Sequence, residues 1–133
     1  MTDIQVGTPI PELALPPVSR FTLALYAGAS GDHNPIHIDS DFAKEAGMPD
    51  VFAHGMLSMA YLGRMLTNWQ PQAKLRKFGN RFAAITQLQD AISCSGKVVE
   101  VLERDGETLV RCEIQAVKHS GEQTLVGEAL VAL

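Results

Sequence analysis

Two short segments of this chain carry side chains that could do chemistry. Residues 26–37 read YAGASGDHNPIH and place a carboxylate, Asp32, five residues before an imidazole, His37. Residues 53–56 read AHGM and place Gly55 where an apolar helix is predicted to begin. A carboxylate and an imidazole that share one water molecule can take a proton from it and deliver a proton elsewhere. This combination is what the addition of water to an activated double bond requires.

Each of these three residues has a definite task in such a reaction. Water is a poor nucleophile, so Asp32 is predicted to act as the base that removes its proton as the new C–O bond forms. His37 is predicted to hold the same water and to donate a proton toward the α-carbon, because an imidazole titrates near neutral pH. The N–H of Gly55, at a helix N-terminus, would stabilise negative charge on the substrate's carbonyl oxygen. Gly55 has no Cβ to block that approach.

Other residues near these three have supporting interpretations. Asn34 is predicted to shape the loop by bonding its side chain to the backbone, and Tyr26 is predicted to pack beneath the loop. Ser58, one turn into the helix, either bonds near Asp32 or satisfies the adjacent backbone. The Asp-x-Asn-Pro sequence is also a common turn in which the aspartate accepts local backbone hydrogen bonds. The added His37 and the His-Gly pair favour the catalytic interpretation over that structural one.

A metal site is the alternative use of these histidines. His33 and His37 have the H-x-x-x-H spacing found in helical zinc sites. Pro35 lies between them and disfavours a helix there, and the glutamate of the zinc-protease motif is absent from this sequence. We therefore predict no metal at Asp32, His33 and His37, and no cofactor for the reaction.

The loop must be positioned by the elements that precede it. Residues 7–18 contain four prolines, which fix φ and remove backbone donors, so an extended segment is predicted. Ser19 is a favourable N-cap for a short helix over residues 20–27, and Gly28 is predicted to end that helix.

The longest predicted helix follows the loop. Asp39 is predicted to cap a short helix with Phe42 turned inward, and residues 55–69 are then apolar on most sides. The polar residues recur at spacings of four, three, three and four, which predicts one narrow polar stripe: His54, Ser58, Tyr61, Arg64 and Asn68. In this stripe His54 is favoured as a structural residue. A helix of this kind must be enclosed by apolar structure.

The second half of the chain supplies that enclosure. Four segments are rich in Val, Ile, Leu and Thr and are predicted to be strands: 75–85, 91–102, 108–118 and 123–133. Asp105-Gly106 and Ser120-Gly121 lie where tight turns are expected. The predicted fold class is α+β, with a long buried helix wrapped by a curved antiparallel β-sheet.

Composition sets the broad class of the protein. The chain has 133 residues, of which 46% are hydrophobic and 20% are charged, so a single globular domain over residues 1–133 is predicted. A net charge of −4 argues against general binding to nucleic acid or to anionic membranes. The first residues show no signal peptide, which predicts a cytoplasmic protein. Cys94 and Cys112 are predicted to be buried small hydrophobic residues.

The sequence resembles the MaoC-like, or hydratase 2, branch of the hot-dog fold. The residues that carry the resemblance are Tyr26, Ser30-Gly31-Asp32, Asn34-Pro35-Ile36-His37, Ala43 and Ala53-His54-Gly55-Met56. The resemblance implies a hot-dog domain that reversibly hydrates trans-2-enoyl thioesters to (R)-3-hydroxyacyl thioesters, a lyase of fatty acid metabolism. It implies that Asp32 and His37 form the catalytic pair and that Gly55 binds the thioester carbonyl. Residues 87–90 depart from the family, in which a proline-containing Gly-Asp segment often stands.

Partners and competing functions follow from this resemblance. The chain is expected to pair as a homodimer, or as one half of a heterodimer with another hot-dog subunit, because a single sheet leaves its edges uncovered. The substrate carrier is coenzyme A or an acyl-carrier protein. The alternatives are a hot-dog acyl thioesterase, in which the same water attacks the carbonyl carbon, and a non-catalytic acyl-thioester-binding subunit.

A basic cluster has two interpretations that the sequence leaves open. It could bind the phosphates of coenzyme A or of a phosphopantetheine arm, or it could place charges on an exposed strand and so discourage aggregation. Its four members fall within eight positions: Lys74, Arg76, Lys77 and Arg81.

Overall fold

Five antiparallel strands form one sheet around a central helix in the computed structural model, which describes residues 3–133. The strands are β1 (Pro9–Ala14), β2 (Leu75–Phe82), β3 (Ile92–Arg104), β4 (Glu107–Lys118) and β5 (Gln123–Ala132). The helices are α1 (Arg20–Ser30), α2 (Ser40–Glu45) and α3 (Gly55–Trp69). Single 3₁₀ turns cover Pro35–His37 and Gln72–Lys74.

The strand order is β1-β3-β4-β5-β2, so β3, β4 and β5 form a meander at the centre of the sheet. The β3–β4 turn is Asp105-Gly106, with φ of 52° and 80°. Two residues with positive φ match the twist of a two-residue hairpin. Strands β1 and β2 are the edges, and within residues 3–133 neither has a strand partner on its outer side. The predicted hot-dog fold, with a curved antiparallel sheet around a long helix, is confirmed.

The core lies between α3 and the inner face of the sheet. Leu62, Met65 and Leu66 are buried on α3. They pack in one cluster with buried residues of β1, β3, β4 and β5, and Leu75 and Phe78 of β2 pack against it. The buried strand members include Ile10, Ile92, Cys94, Val110, Cys112, Ile114 and Leu125. Burial raises the pKa of Cys94 to about 12 and that of Cys112 to about 11. Both thiols therefore stay protonated and act as small apolar side chains.

A smaller apolar cluster holds the loop region that precedes α3. Its buried members come from the segment before α1, from α1 and α2, and from the segment leading into the first turn of α3: Val18, Leu23, Ala43, Val51, Ala53 and Leu57. The helix caps predicted from sequence are present, since Ser19 Oγ accepts from the Thr22 N–H and Asp39 accepts from the Asp41 and Phe42 N–H groups. This cluster positions residues 31–37 beside the start of α3.

Three predictions about helices need correction. Helix α1 runs past Gly28 to Ser30, because Gly31 is the residue that takes the left-handed conformation, with φ of 77°. Phe42 is largely exposed, and Ala43 is the buried residue of α2. The predicted polar stripe of α3 is also wrong in part. His54 and Ser58 are buried, whereas Met56 is half-exposed.

The segment that departs from the family forms a tight turn before β3. Gln89 has a positive φ of 69°, a conformation that favours glycine. The Asp90 carboxylate accepts from the Gln87 N–H at 2.7 Å and lies 3.0 Å from the Lys118 ammonium. The turn is therefore held by a charged side chain despite the strained backbone at Gln89.

Helices in residues 3–133 fall short of the length and apolar character that crossing a bilayer needs.

Candidate active site

The loop after α1 is folded by its own short polar side chains. The Gly31 N–H donates to the Ala27 carbonyl at 3.0 Å and ends the helix. Asp32 Oδ1 accepts from the Asn34 N–H at 3.2 Å, and Asn34 Oδ1 accepts from the Ile36 N–H at 3.1 Å. These two successive turns carry the chain from Asp32 to His37 without regular helix. Asn34 thus shapes the loop.

His37 is oriented by a backbone carbonyl of the segment before α3. Its Nδ1 lies 2.8 Å from the Phe52 carbonyl oxygen. A carbonyl only accepts hydrogen bonds, so Nδ1 carries a proton and donates it. The other ring nitrogen, Nε2, is then left to face a substrate or a water. The Phe52 ring lies edge-on to His37, with the ring centroids 5.1 Å apart.

His54 connects the loop to the start of α3. Its Nε2 lies 3.1 Å from the Asp32 carbonyl oxygen, so this nitrogen carries the proton, and its ring stacks on His37 at 4.0 Å. Tyr26 packs edge-on against the same ring at 4.9 Å. Burial lowers the pKa of His54, the neighbouring His37 lowers it further, and the bond to Asp32 opposes both. His54 is therefore a neutral, buried link between the loop and the start of α3.

The structure brings the carboxylate and the imidazoles together. One carboxylate oxygen of Asp32, one ring nitrogen of His37 and one of His54 all lie within 4.8 Å of one another. Two hydrogen bonds of about 2.8 Å each can meet at one water across such a gap. The arrangement can therefore hold a water molecule between an acid side chain and a ring nitrogen.

The same three residues are a possible metal-ligand group in the part of the chain that the structure describes. His54 already donates from Nε2 to a carbonyl, and its Nδ1 is buried with no partner among residues 3–133. Asp32 is exposed and His37 is half-buried, so these are the two side chains of the group that solvent or a substrate can reach.

Gly55 is the first residue of α3, so its N–H is one of the four that helix geometry leaves without an acceptor. It lines a cleft of about 350 Å³. The other lining residues come from the segment before α3, from α3 itself and from the ends of β2 and β5: Phe52, Ala53, Ser58, Phe82, Ala83, Ala84, Ile85, Thr86, Thr124 and Leu125. Phe52 joins the two halves of the site, because it lines the cleft and its carbonyl orients His37.

Comparison with known proteins identifies the family. Residues 5–121 match the MaoC like domain. The chain belongs to the MaoC-like dehydratase family. It is 27% identical over 133 residues to the mitochondrial 3-hydroxyacyl-[acyl-carrier-protein] dehydratase of Arabidopsis thaliana, covering 99% of this chain and 79% of that protein. It is 29% identical over 129 residues to the fatty acid synthase subunit β of Saccharomyces cerevisiae, covering 95% of this chain but only 6% of that subunit.

A solved structure of similar shape is the unliganded R-hydratase PhaJ1 from Pseudomonas aeruginosa. The two share 28% of residues with a TM-score of 0.84, over 97% of this chain and 82% of that one. Of these three relatives, the Arabidopsis protein is a dehydratase and PhaJ1 is a hydratase by name, at 27% and 28% identity.

The two residues predicted to support the site lie at the cleft and against His54. Ser58 is buried and lines the cleft, one turn after Gly55. Tyr26 lies against His54, and burial raises the pKa of its hydroxyl, with the nearby charge of Asp32 raising it further. The Tyr26 hydroxyl therefore remains a neutral hydrogen-bond donor.

The four residues of the basic cluster do not share one environment. Arg76 makes two bonds to Glu107, from Nε at 2.9 Å and from Nη2 at 2.6 Å. Lys77 lies 3.5 Å from Glu128. Arg81 is exposed and comes one residue before Phe82, which lines the cleft. The fourth member, Lys74, ends the 3₁₀ turn before β2.

Sequence reasoning missed the residues that act through their backbone or through shape. Phe52 contributes a carbonyl oxygen, which any residue type could supply, so no sequence signal was available. Phe82 covers Gly55, since an ideal Cβ on that glycine would lie 2.9 Å from two carbons of the Phe82 ring. The residue type of Phe82 does not show that its ring lies over Gly55.

Larger concavities of about 760 and 800 Å³ lie elsewhere on the molecule. Neither is lined by Asp32, His37, His54 or Gly55, whereas the 350 Å³ cleft is lined by Gly55 and by Phe52, whose carbonyl binds His37. The side-chain chemistry therefore identifies the candidate site better than size does.

Proposed function

We propose that this protein catalyses the reversible (R)-specific hydration of trans-2-enoyl thioesters, and the reverse dehydration of (R)-3-hydroxyacyl thioesters. The observation that carries the proposal is the approach of the Asp32 carboxylate and a His37 ring nitrogen to within 4.8 Å. Family membership supports it, because the named relatives include an R-hydratase and a 3-hydroxyacyl dehydratase.

Asp32 and His37 have separate roles in the proposed reaction. Asp32 removes a proton from the bound water while its oxygen adds to C3 of the enoyl group. Nδ1 of His37 remains bonded to Phe52, so Nε2 is the atom that delivers a proton to C2, and for this step His37 enters as the imidazolium, with a proton on both ring nitrogens. The proton on Asp32 then returns to Nε2 through the next water that binds. The double bond has gained H and OH, and both side chains are restored.

The N-terminus of α3 stabilises the charge that develops in between. As water adds to C3, negative charge moves to the thioester oxygen, and the Gly55 N–H is free to bind it. The helix dipole favours a negative charge at this end. Bonds to this oxygen strengthen in the transition state, which is where they accelerate the reaction.

Crotonyl-CoA separates this proposal from its rivals. Hydration removes the enoyl absorbance without releasing thiol, whereas a thioesterase releases thiol. Asp32→Asn and His37→Gln should each lower the rate by about 10²- to 10⁴-fold without unfolding the protein. The matched controls are Asp41→Asn and His33→Gln, which change exposed residues of the same type nearby. Full activity in both catalytic variants would contradict the proposal and favour a binding subunit.

We further propose that a second hot-dog subunit covers the mouth of the cleft. Phe82 and Ile85 line the cleft and are still 52% and 44% exposed, and Met56 at the start of α3 is 52% exposed. Edge strand β2 lies beside them. The partner is a second copy or a different subunit. Sedimentation of the isolated chain distinguishes these possibilities, since a lone monomer that gains activity with another hot-dog chain supports the heterodimer.

Carrier recognition is proposed for the exposed basic side chains closest to the cleft. Arg81 is the best placed member of the cluster, because Arg76 and Lys77 already face carboxylates. Arg81→Glu should raise KM for a coenzyme A thioester while leaving kcat unchanged. An Arg104→Glu control, at the far end of β3, should leave KM unchanged.

A further inference from the structure

A carboxamide shielded from solvent lies on β2, two residues before Phe82 of the cleft. Asn80, on β2, has its Oδ1 and Nδ2 shielded from solvent, and neither atom has a hydrogen-bond partner among residues 3–133. Native proteins pair nearly all such groups, because an unpaired buried amide keeps its desolvation cost. The protein chain itself therefore leaves both hydrogen-bonding functions of Asn80 available to a ligand.

The register of β2 fixes where this amide lies. Phe82 covers Gly55 at the start of α3, and Phe78 covers Gly63, whose ideal Cβ would be 3.3 Å from the Phe78 ring. Alternate residues of a strand share a face, so Asn80 lies between the two rings and faces α3. Asn80 is thus the next residue after Phe82 on the inner face of β2, on the side toward Phe78.

The surroundings of Asn80 suit a flexible chain. Gly55 and Gly63 are eight residues apart on α3, so Met59 lies midway between them on the same face, opposite Asn80. Met59 is partly buried and unbranched, and such side chains adapt to varied shapes. On the neighbouring strand Asn80 pairs with Gly127, which offers no side chain. The Asn80 amide is therefore bordered by the adaptable side chain of Met59 and by the backbone of Gly127.

We propose that Asn80 determines specificity by binding an oxygen-bearing group on the acyl chain. The preferred substrates are enoyl thioesters with a hydroxyl or keto oxygen beyond the enoyl unit. This inference rests on the proposed function. Residues two apart on a strand are separated by about 7 Å, so the oxygen falls roughly five to six bonds beyond the carbonyl carbon held at Gly55. A carboxamide both donates and accepts, which fits either oxygen.

The test compares trans-2-octenoyl-CoA with its counterparts that carry a hydroxyl on the sixth, seventh or eighth carbon. The wild-type protein should show a kcat/KM about 10- to 100-fold higher for one hydroxylated isomer. Asn80→Leu should abolish that preference and keep the rate on the plain chain. Asn80→Ala removes the amide without adding bulk, and it should likewise abolish the preference and keep the rate on the plain chain. Asn68→Leu, on the exposed side of α3, should keep the preference.

Two results would overturn the inference. One is a wild-type protein that prefers no hydroxylated isomer. The other is an Asn80→Leu variant that changes all the substrates equally, which would assign the amide to the fold alone. If the wild-type protein hydrates no enoyl thioester, the proposed function fails separately. In that case, calorimetry compares the binding of saturated octanoyl and hydroxyoctanoyl thioesters to the wild-type and Asn80→Leu proteins. A preference for the hydroxylated thioester that only the wild-type protein shows would support the role of Asn80.

Discussion

Gly55→Ala is the smallest change that tests the oxyanion role of the α3 N-terminus. The new Cβ would lie 2.9 Å from Cδ1 and Cε1 of Phe82. Carbon atoms pack at about 3.5–4.0 Å, so the ring must move by roughly 0.6–1.1 Å. Phe82 is half-exposed and can turn toward solvent. We therefore expect a loss of stability of about 1 kcal/mol, at the low end of overpacking costs.

The effect on catalysis should be much larger than the effect on stability. The Cβ occupies the space through which a thioester oxygen reaches the Gly55 N–H. Losing one such donor lowers kcat by about 10²- to 10³-fold, which corresponds to about 2.7–4 kcal/mol of transition-state stabilisation. Hydration of crotonyl-CoA, followed by the loss of enoyl absorbance, measures this directly, and thermal unfolding measures the fold.

Gly63→Ala is the matched control, because its Cβ also meets a phenylalanine ring, at 3.3 Å from Phe78, two turns further along the same helix. With the short crotonyl substrate this variant should be fully active. A second control is Phe82→Ala in the Gly55→Ala background. Recovery of the rate there would show that ring displacement, rather than a blocked N–H, caused the loss. A folded Gly55→Ala protein within about threefold of the wild-type rate would refute the oxyanion role outright.

Three further substitutions test residues that stabilise the site and the fold around it. Burial lowers the pKa of His54, so the unfolded chain takes up a proton more readily, and stability should decline as the pH falls through about 6.5. His54→Phe should reduce the dependence of the unfolding free energy on pH, measured in unfolding curves at pH 5–8. For one titrating group this dependence cannot exceed about 1.4 kcal/mol per pH unit. An unchanged dependence would show that His54 is not the group responsible. Gln89→Gly should stabilise the protein by up to about 1 kcal/mol, because it relieves the positive φ, and a lower melting temperature would contradict this. Lys118→Met leaves the Asp90 carboxylate without its 3.0 Å partner and should cost about 3 kcal/mol in urea unfolding, whereas an exposed control, Lys97→Met, should cost little.

Much of the fold was predictable because its signals are local. The bounds of α3 match residues 55–69 as predicted, and the meander follows from β-branched runs separated by Asp-Gly and Ser-Gly turns. Strand β1 was predicted only as an extended segment, since its prolines argue against a central strand. The structure places it at a sheet edge, where proline is tolerated.

The candidate site was predictable as far as its side chains define it. The spacing of Asp32 and His37 indicated that both could reach one water, and the structure brings them within reach. The acceptors that orient the histidines are carbonyl oxygens of Asp32 and Phe52, and residue type does not encode which carbonyl points where. Asn80 was missed for a different reason, because an isolated asparagine in a strand has no pattern that shows what surrounds it.

The reciprocal bonds between loop and helix have a consequence for how this site tolerates sequence change. His37 is held by a main-chain oxygen at position 52, and His54 is held by a main-chain oxygen at position 32. An amino-acid replacement at position 52 alters the wall of the cleft without removing the oxygen that aims the imidazole. Substrate preference can therefore diverge there while the proton-transfer geometry is inherited intact.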